Sequence, residues 1–218
     1  MKKDEFVETA VEASHWLEDN WQLVVKGAIA VVALGAIIGF GFWAMGRSRT
    51  QAKNQLSQAI QRYQQAELAG FPDPEELEAA LAMFQEASEK TAAGAAGLSA
   101  RYFQGAALLR LDRADEAVEV LDDLAGEDLE PTLAATTDVL LAEALAGAGS
   151  AERAIGLLET VASTPDSLYP PDQALLLLGR IHREQGDVER AHDTWQRIAE
   201  QYPQSPGAME ANRLLALP

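Results

Sequence analysis

Three histidines and one acidic pair are the first candidates in this sequence for metal binding or proton transfer. They are His15, His182, His192 and the pair Asp122-Asp123. No HExxH or other ligand spacing accompanies the histidines, and the acidic pair lacks the glycine-centred spacing of a calcium loop. We therefore predict no metal site, and we expect His182 and His192 at the surface or at the edge of a groove, on opposite helices of one hairpin.

Other catalytic signatures are also missing from the sequence. It has no P-loop, dinucleotide fingerprint or nucleophile elbow. It has no cysteine, which excludes disulfides, thiolate metal ligands and a cysteine nucleophile. We interpret the protein as a non-enzyme with no catalytic residue, no cofactor and no small-molecule substrate. A pocket with strongly shifted titrating groups would reopen the enzyme hypothesis.

Charge and composition restrict the class of binding partner and the class of fold that the chain can have. The chain of 218 residues has 17 basic and 34 acidic residues, a formal net charge of −17. This charge argues against nucleic acid as a partner, since binding a phosphate backbone needs a basic surface. Hydrophobic residues make up 48% of the chain and aromatic residues only 6%, which favours packed helices over a β-sandwich.

A ten-residue phrase recurs every 37 residues. GDVERAHDTW from Gly186 matches GSAERAIGLL from Gly149, DRADEAVEVL from Asp112 and EELEAALAMF from Glu75. Three sets of positions keep this spacing, a first set of mostly small residues, a second set of alanines and a third set of large apolar residues. They are Leu68, Gly105, Ala142 and Gly179; Ala80, Ala117, Ala154 and Ala191; and Phe84, Leu121, Leu158 and Trp195.

This pattern predicts an all-α fold of stacked helical hairpins. A small residue lets two helices cross closely, and a large residue one turn further on fills the remaining space. One hairpin cannot bury its apolar face alone, so several must stack. We predict repeats near 52–90, 97–125, 132–163 and 171–202, and a capping helix over 206–215. In the last unit, Pro171–Gln185 and Val188–Gln201 are the two helices, with Gly186 in the turn.

The last unit resembles a tetratricopeptide repeat. Leu178-Gly179, Ala191, Trp195 and Pro203 stand at the offsets of that family. The family period is about 34 residues, and the additional residues of this chain fall between hairpins. A plain helical bundle is the alternative, but it does not explain four matches in one register.

The resemblance implies a concave groove lined by the first helix of each hairpin. The groove positions of the family fall on Gln65, Tyr102, Ala106, Val139, Glu143, Leu176, Arg180 and Arg183. The lining is apolar in the middle and suits an extended or helical apolar segment. The lysine and asparagine of the family's carboxylate clamp are missing, so capture of an acidic chaperone tail is not predicted. The alternative role for these residues is solenoid surface or packing between repeats.

An apolar run precedes the repeats. Residues 27–45 contain no charge, and as a helix of roughly 28 Å they match a hydrocarbon core of about 30 Å. We predict an acidic amphipathic leader over 1–23, an uncleaved transmembrane helix over 24–46 and a repeat domain over 47–218. Gly35 and Gly39 form a GxxxG pattern that could place another membrane helix in contact with this one.

The whole layout is similar to the YfgM-type family, the ancillary subunit of the bacterial SecYEG translocon. The resemblance rests on the acidic leader, the span between Trp21 and Trp43, and the polar alanine- and glutamine-rich helix over 52–69. It implies a single-pass protein of the bacterial inner membrane with a cytoplasmic N-terminus and a periplasmic repeat domain. Its partners would be translocon subunits, a periplasmic chaperone or exported chains.

The charges that flank the span do not give this orientation by themselves. The basic residues Lys2, Lys3 and Lys26 precede it, and Arg47, Arg49 and Lys53 follow it. Taken locally, these charges favour a cytoplasmic repeat domain, although long domains translocate largely regardless of such counts.

The second hypothesis for function is a scaffold of an envelope machine, in outer-membrane assembly or wall synthesis, with no role in secretion. It is motivated by the generic repeats and by YPQSPGAMEA from Tyr202.

Overall fold

Proline and short polar side chains mark where the helices begin. The computed structural model describes residues 54–66, 73–91, 94–165 and 167–216, and within these ranges all regular secondary structure is helical. The nine helical segments of the described ranges are α1 (54–66), α2 (Pro74–Lys90), α3 (Ala95–Arg110), α4 (Ala114–Ala125), α5 (Pro131–Gly147), α6 (Ala151–Ser163), α7 (Pro171–Glu184), α8 (Val188–Gln201) and α9 (Pro206–Leu215).

Four of these helices have proline in the first turn, where the missing N–H has no intrahelical partner to lose. Three helices also have a side-chain N-cap. Asp73, Asp187 and Ser205 accept hydrogen bonds from backbone N–H groups at the starts of α2, α8 and α9. The starts of α2, α5, α7, α8 and α9 therefore follow from local sequence.

Each helix packs against the next one along the chain, from α2 to α9. At the N-terminal end of the described stack, Tyr63 of α1 meets Phe84 of α2 edge-on, with ring centroids 6.3 Å apart. Phe84 in turn stacks on Phe103 of α3 at 5.5 Å. The predicted all-α stack of hairpins is the architecture of the described residues.

The turn inside a hairpin repeats with the 37-residue period. Asp112, Gly149 and Gly186 all have positive φ, of 57°, 79° and 80°. After each of them, a backbone N–H donates to a carbonyl five residues earlier, as from Asp187 to His182 at 2.9 Å. This bond is the signature of a Schellman C-cap, which requires a left-handed residue. Asp112 is the one non-glycine among the three.

The small and large residues of the repeat meet inside the hairpins. A Cβ placed on Gly105 would lie 2.6 Å from Leu121, and one on Gly179 would lie 2.3 Å from Nε1 of Trp195. Both distances are too short for a side chain, so the two helices of these two hairpins approach over a glycine. The alanines of the second helices, such as Ala154 and Ala191, are fully buried. The close packing predicted from the spacing is confirmed at these positions.

His182 is not at the surface, contrary to the expectation from its residue type. Its side chain is 6% exposed, whereas His192 is exposed. The reason is its place in the repeat, since it stands 74 residues after the buried Leu108 and 37 residues after the buried Leu145. A histidine here occupies a core position of the hairpin.

Several predictions fall on residues outside the described ranges. They concern the leader over 1–23, the span over 24–46 with Gly35 and Gly39, and the small-residue position at Leu68. Within the described ranges, no helix has the length and apolar character needed to cross a membrane. All described residues belong to one compact unit, Gln51–Pro218.

Candidate interaction surface

The first helices of the hairpins form a continuous face. Backbones of α3 and α5, of α5 and α7, and of α7 and α9 approach one another. Among the described helices from α2 on, no such approach joins consecutive second helices. The stack therefore curves with α3, α5, α7 and α9 on the inside. We call this side the first-helix face.

The predicted groove residues differ in accessibility. Gln65, Arg180 and Arg183 are exposed, whereas Tyr102, Ala106, Glu143 and Leu176 are partly buried. Val139 is only 7% exposed and belongs to the core cluster. A ligand on this face would therefore meet little of Val139.

Tyr102, Glu143 and Tyr169 lie close together across α3, α5 and the loop before α7. Burial raises the pKa of Tyr102, the charge of Glu143 raises it further, and a hydrogen bond with Thr136 opposes the shift. Burial also raises the pKa of Tyr169, helped by Tyr102, Glu143 and Asp172. Burial and the neighbouring negative charge thus favour the protonated, uncharged form of both hydroxyls.

Two pockets open between the first helices. The first, which we call the central pocket, has a volume of about 390 Å³ and lies between α3, α5 and α7. Its lining mixes apolar groups with both signs of charge: Leu109, Arg110, Asp112, Ala114, Glu143, Ala146, Gly147, Leu177, Arg180, Ile181 and Glu184. It brings together two of the predicted groove residues, Glu143 and Arg180.

The second, which we call the C-terminal pocket, has a volume of about 270 Å³ and lies mainly between α7 and α9. It is lined by Leu176, Arg180, Arg183, Trp195, Glu210, Arg213 and Leu214. Three predicted groove residues, Leu176, Arg180 and Arg183, meet here. Arg180 lines both pockets, so the two are neighbours on one face.

The charged groups of the C-terminal pocket make different kinds of contact: Arg213 and Glu210 are hydrogen-bonded to each other, and Arg183 contacts an aromatic ring. Arg213 donates from Nε to Glu210 at 2.8 Å and makes a second bond through Nη2. This hydrogen bonding lowers the pKa of Glu210, and the nearby Arg180 adds to the effect. The guanidinium carbon of Arg183 lies 5.5 Å from the ring centroid of Trp195, a cation–π contact.

Sequence reasoning missed the contribution of α9 to this surface. Tyr102, Val139 and Leu176, which the resemblance assigns to the groove, stand 37 residues apart, and one further period leads to Arg213. The register therefore contained the signal, although α9 was interpreted only as a cap. In the part of the chain that the structure describes, no cluster of three His, Cys, Asp or Glu residues could hold a metal ion.

Comparisons with known proteins agree with this architecture. A family model described as a tetratricopeptide repeat-like domain matches residues 14–214. No curated protein sequence matches the chain. Two crystal structures of nearly identical TPR-like repeats, described as from a kinesin light chain of Podosopora anserina, are similar at TM-scores of 0.59 and 0.60. Each is 19% identical and covers 76% of this chain and 84% of its own, a likeness that shows the fold alone.

Proposed function

The chain belongs to the tetratricopeptide repeat-like domain family, and from this premise we propose that it is a membrane-anchored module for binding other proteins. Folds of this family are typically non-catalytic interaction scaffolds. Stacked hairpins present an extended surface built from many repeats, which suits a protein segment better than a small substrate.

The observation that carries this proposal is the pair of neighbouring pockets on the first-helix face. They share Arg180 and together extend from the C-terminal end of α3 to α9. Their walls combine leucines with charged groups such as Glu184 and Arg213, as interaction surfaces do when an apolar centre is surrounded by polar groups. A bound segment would contact several repeats at once.

Within this function, we propose a place beside the protein translocon of the bacterial inner membrane. The uncharged run over 27–45 supports a membrane anchor, and the resemblance of the layout supports a periplasmic repeat domain. In that position the groove would bind a periplasmic chaperone or an exported chain. Membrane anchoring, orientation and partners are all parts of this proposal.

The competing candidate, a scaffold for an envelope machine, drew on the segment that begins at Tyr202. The structure gives this segment a local explanation. Tyr202 ends α8, Ser205 caps α9 by accepting the N–H of Ala208 at 3.1 Å, and Pro206 opens α9. Its sequence therefore reflects a helix–turn–helix boundary, which weakens the motive for the scaffold hypothesis.

The test is gentle detergent extraction of the tagged full-length protein followed by mass spectrometry of what co-purifies. We expect translocon subunits and a periplasmic chaperone. Glu184→Arg, in the exposed lining of the central pocket, should reduce their recovery. Glu159→Arg makes the same charge change on α6, away from both pockets, and should not. Recovery of wall-synthesis or outer-membrane assembly proteins without the translocon would favour the scaffold.

A further inference from the structure

We propose that the edge of the repeat domain at which one hairpin connects to the next rests on the membrane surface, with Leu168 and Met209 inserted among the lipids. The inference rests on the proposed membrane anchor and adds a second contact with the same bilayer. Neither residue lines the central pocket or the C-terminal pocket. We call this side the connection edge, and it comprises the first turns of α5, α7 and α9 with the loops 126–130, 167–170 and 202–205.

The first support is an uncharged part of the connection edge. Neither 167–171 nor 202–209 contains a charged residue, although the whole chain carries a net charge of −17. Leu168 is 57% exposed and Met209 is 73% exposed. An exposed apolar patch that lacks charge marks a contact with another protein or with a membrane.

The second support is that these two side chains belong to one place on the domain. The N–H of Gly207 donates to Asp172 at 3.1 Å, so the starts of α7 and α9 lie side by side. Leu168 stands four residues before Asp172, and Met209 stands two residues after Gly207. The other exposed large apolar side chain of the described residues is Val188, which follows the turn inside the last hairpin. It lies at the opposite edge, about 20 Å away along the 14 residues of α7.

The third support is the side on which the chain enters the repeat domain. Gln55, near the start of the described part of α1, donates to Glu86 near the end of α2 at 3.3 Å. Arg62, near the end of α1, pairs with Glu76 at the start of α2 at 3.0 Å. The two helices are therefore antiparallel, and α1 starts on the side where α2 ends. That side is the connection edge.

The short link before α1 favours the bilayer over another protein as the occupant. Only 47–53 separate the predicted span from the described part of α1, and these residues reach at most about 25 Å. The anchor therefore keeps the connection edge near the bilayer at all times. Burial of one leucine- or methionine-sized side chain is worth about tenfold or more in an equilibrium constant. This is enough for a tethered domain, because the anchor makes the contact intramolecular.

The acidic residues of the connection edge restrict the kind of lipid surface. Glu127, Asp128 and Glu130 are exposed in the loop between α4 and α5. Anionic headgroups would repel them, since like charges at close range repel each other. The contact therefore depends on the apolar side chains, and it is weaker on an anionic surface than on a zwitterionic one.

The experiment places a single copy of the full-length chain in a phosphatidylcholine nanodisc. Because the chain has no cysteine, Gln204→Cys carries one fluorescent label at the connection edge. Gln185→Cys carries the same label at the opposite edge, and both glutamines are exposed. A lipid with a nitroxide near its headgroup quenches a label that touches the membrane surface. We expect the label at position 204 to lose most of its emission and the label at position 185 to keep it.

Protein variants connect the quenching to the two apolar side chains. Leu168→Gln with Met209→Gln removes them without changing charge, and it should shift the docking equilibrium by about tenfold or more and abolish the quenching. Val188→Gln makes a matching change at the opposite edge and should leave the quenching intact. Because all three side chains are exposed, we expect both variants to fold, which circular dichroism checks.

Quenching at position 204 alone that disappears only in the double variant supports the proposal. Equal quenching of both labels, or none at position 204, overturns it and leaves the anchor and the interaction function standing. Stronger quenching when phosphatidylglycerol replaces part of the phosphatidylcholine overturns the apolar contact, because it would show attraction by charge.

Two further outcomes would also overturn the proposal. Shielding of the label at position 204 in detergent micelles that grows with protein concentration would assign the connection edge to a second copy of the chain. A chain that does not enter nanodiscs would overturn the anchor and this inference together. The co-purification experiment separately decides the interaction function.

Discussion

At the scale of single residues, Gly179 controls how closely the helices of the last hairpin approach. We expect Gly179→Ala to lower the free energy of unfolding by about 1–3 kcal/mol, because the new methyl group would meet the buried Trp195 ring. Gly156→Ala is the control, since a Cβ there would meet no group outside the local backbone of its own helix within 4 Å. It should stabilise α6 by up to about 1 kcal/mol through helix propensity. Chemical unfolding of the full-length chain measures both, and equal effects would contradict the close approach.

Asp138 is a residue whose charge opposes folding. It lies half-buried on α5, and burial raises its pKa above the ordinary 3.8. The folded state therefore holds this proton more tightly, so the stability it contributes is present below pH 3.8 and is lost as the pH rises through the folded pKa. We expect Asp138→Asn to raise the melting temperature at pH 7 and to have little effect at pH 3. A benefit of equal size at both pH values would show that ionisation is not the cause.

Residue types alone misplaced His182, although the repeat register could have placed it. Histidine is less often fully buried than the aliphatic residues, so its residue type favours a position at the surface or the edge of a groove for His182. Its neighbours in the register, Leu108 and Leu145, are both leucines, and that comparison indicates the core. Arg213 is the converse case, because extending the groove register by one period would have placed it on the binding face. In a repeat protein, position in the period therefore predicts burial better than residue type.

At the scale of elements, the hairpins were predictable because their signals are local. Prolines in first turns, small residues at crossings and the turn at Gly186 are all read within one unit of 37 residues. The position of α9 depends instead on a contact between residues far apart in the sequence. It depends on Asp172, which accepts the backbone N–H of Gly207 at 3.1 Å from 35 residues away. This contact joins the start of α7 to the start of α9, and the 37-residue pattern in the sequence does not predict it.

This buried carboxylate should be what holds the start of α9 on α7. Asp172 is 5% exposed and also accepts from Nε2 of Gln173 at 3.2 Å. We expect Asp172→Ala to cost about 1–3 kcal/mol, since it leaves the Gly207 N–H buried without an acceptor. Asp172→Asn retains an oxygen and should cost less. Hydrogen exchange of α9 amides is the measurement, and unchanged protection in the alanine variant would contradict this role.

At the scale of the whole molecule, long side chains connect units whose backbones stay apart. Arg113 pairs with Glu78 at 3.2 Å, and Arg153 pairs with Asp122 of the preceding hairpin. These pairs are exposed, so each contributes little to stability. The chain as a whole is strongly negative, whereas the charged residues that line the C-terminal pocket are mostly positive. The total charge is evident from the sequence alone. Only the packing of α7 against α9 shows that Arg180, Arg183 and Arg213 line one pocket.

The orientation of the chain in the membrane is the whole-molecule prediction that charge counts leave undecided. Because the protein has no cysteine, one introduced thiol reports on one position without background. We expect Glu159→Cys, on the exposed surface of α6, to react with a membrane-impermeant maleimide in spheroplasts. Glu5→Cys, in the predicted leader, should react only after lysis. The opposite pattern would place the repeat domain in the cytoplasm, where a periplasmic chaperone could not reach it, and the translocon proposal would fail while the interaction fold stands.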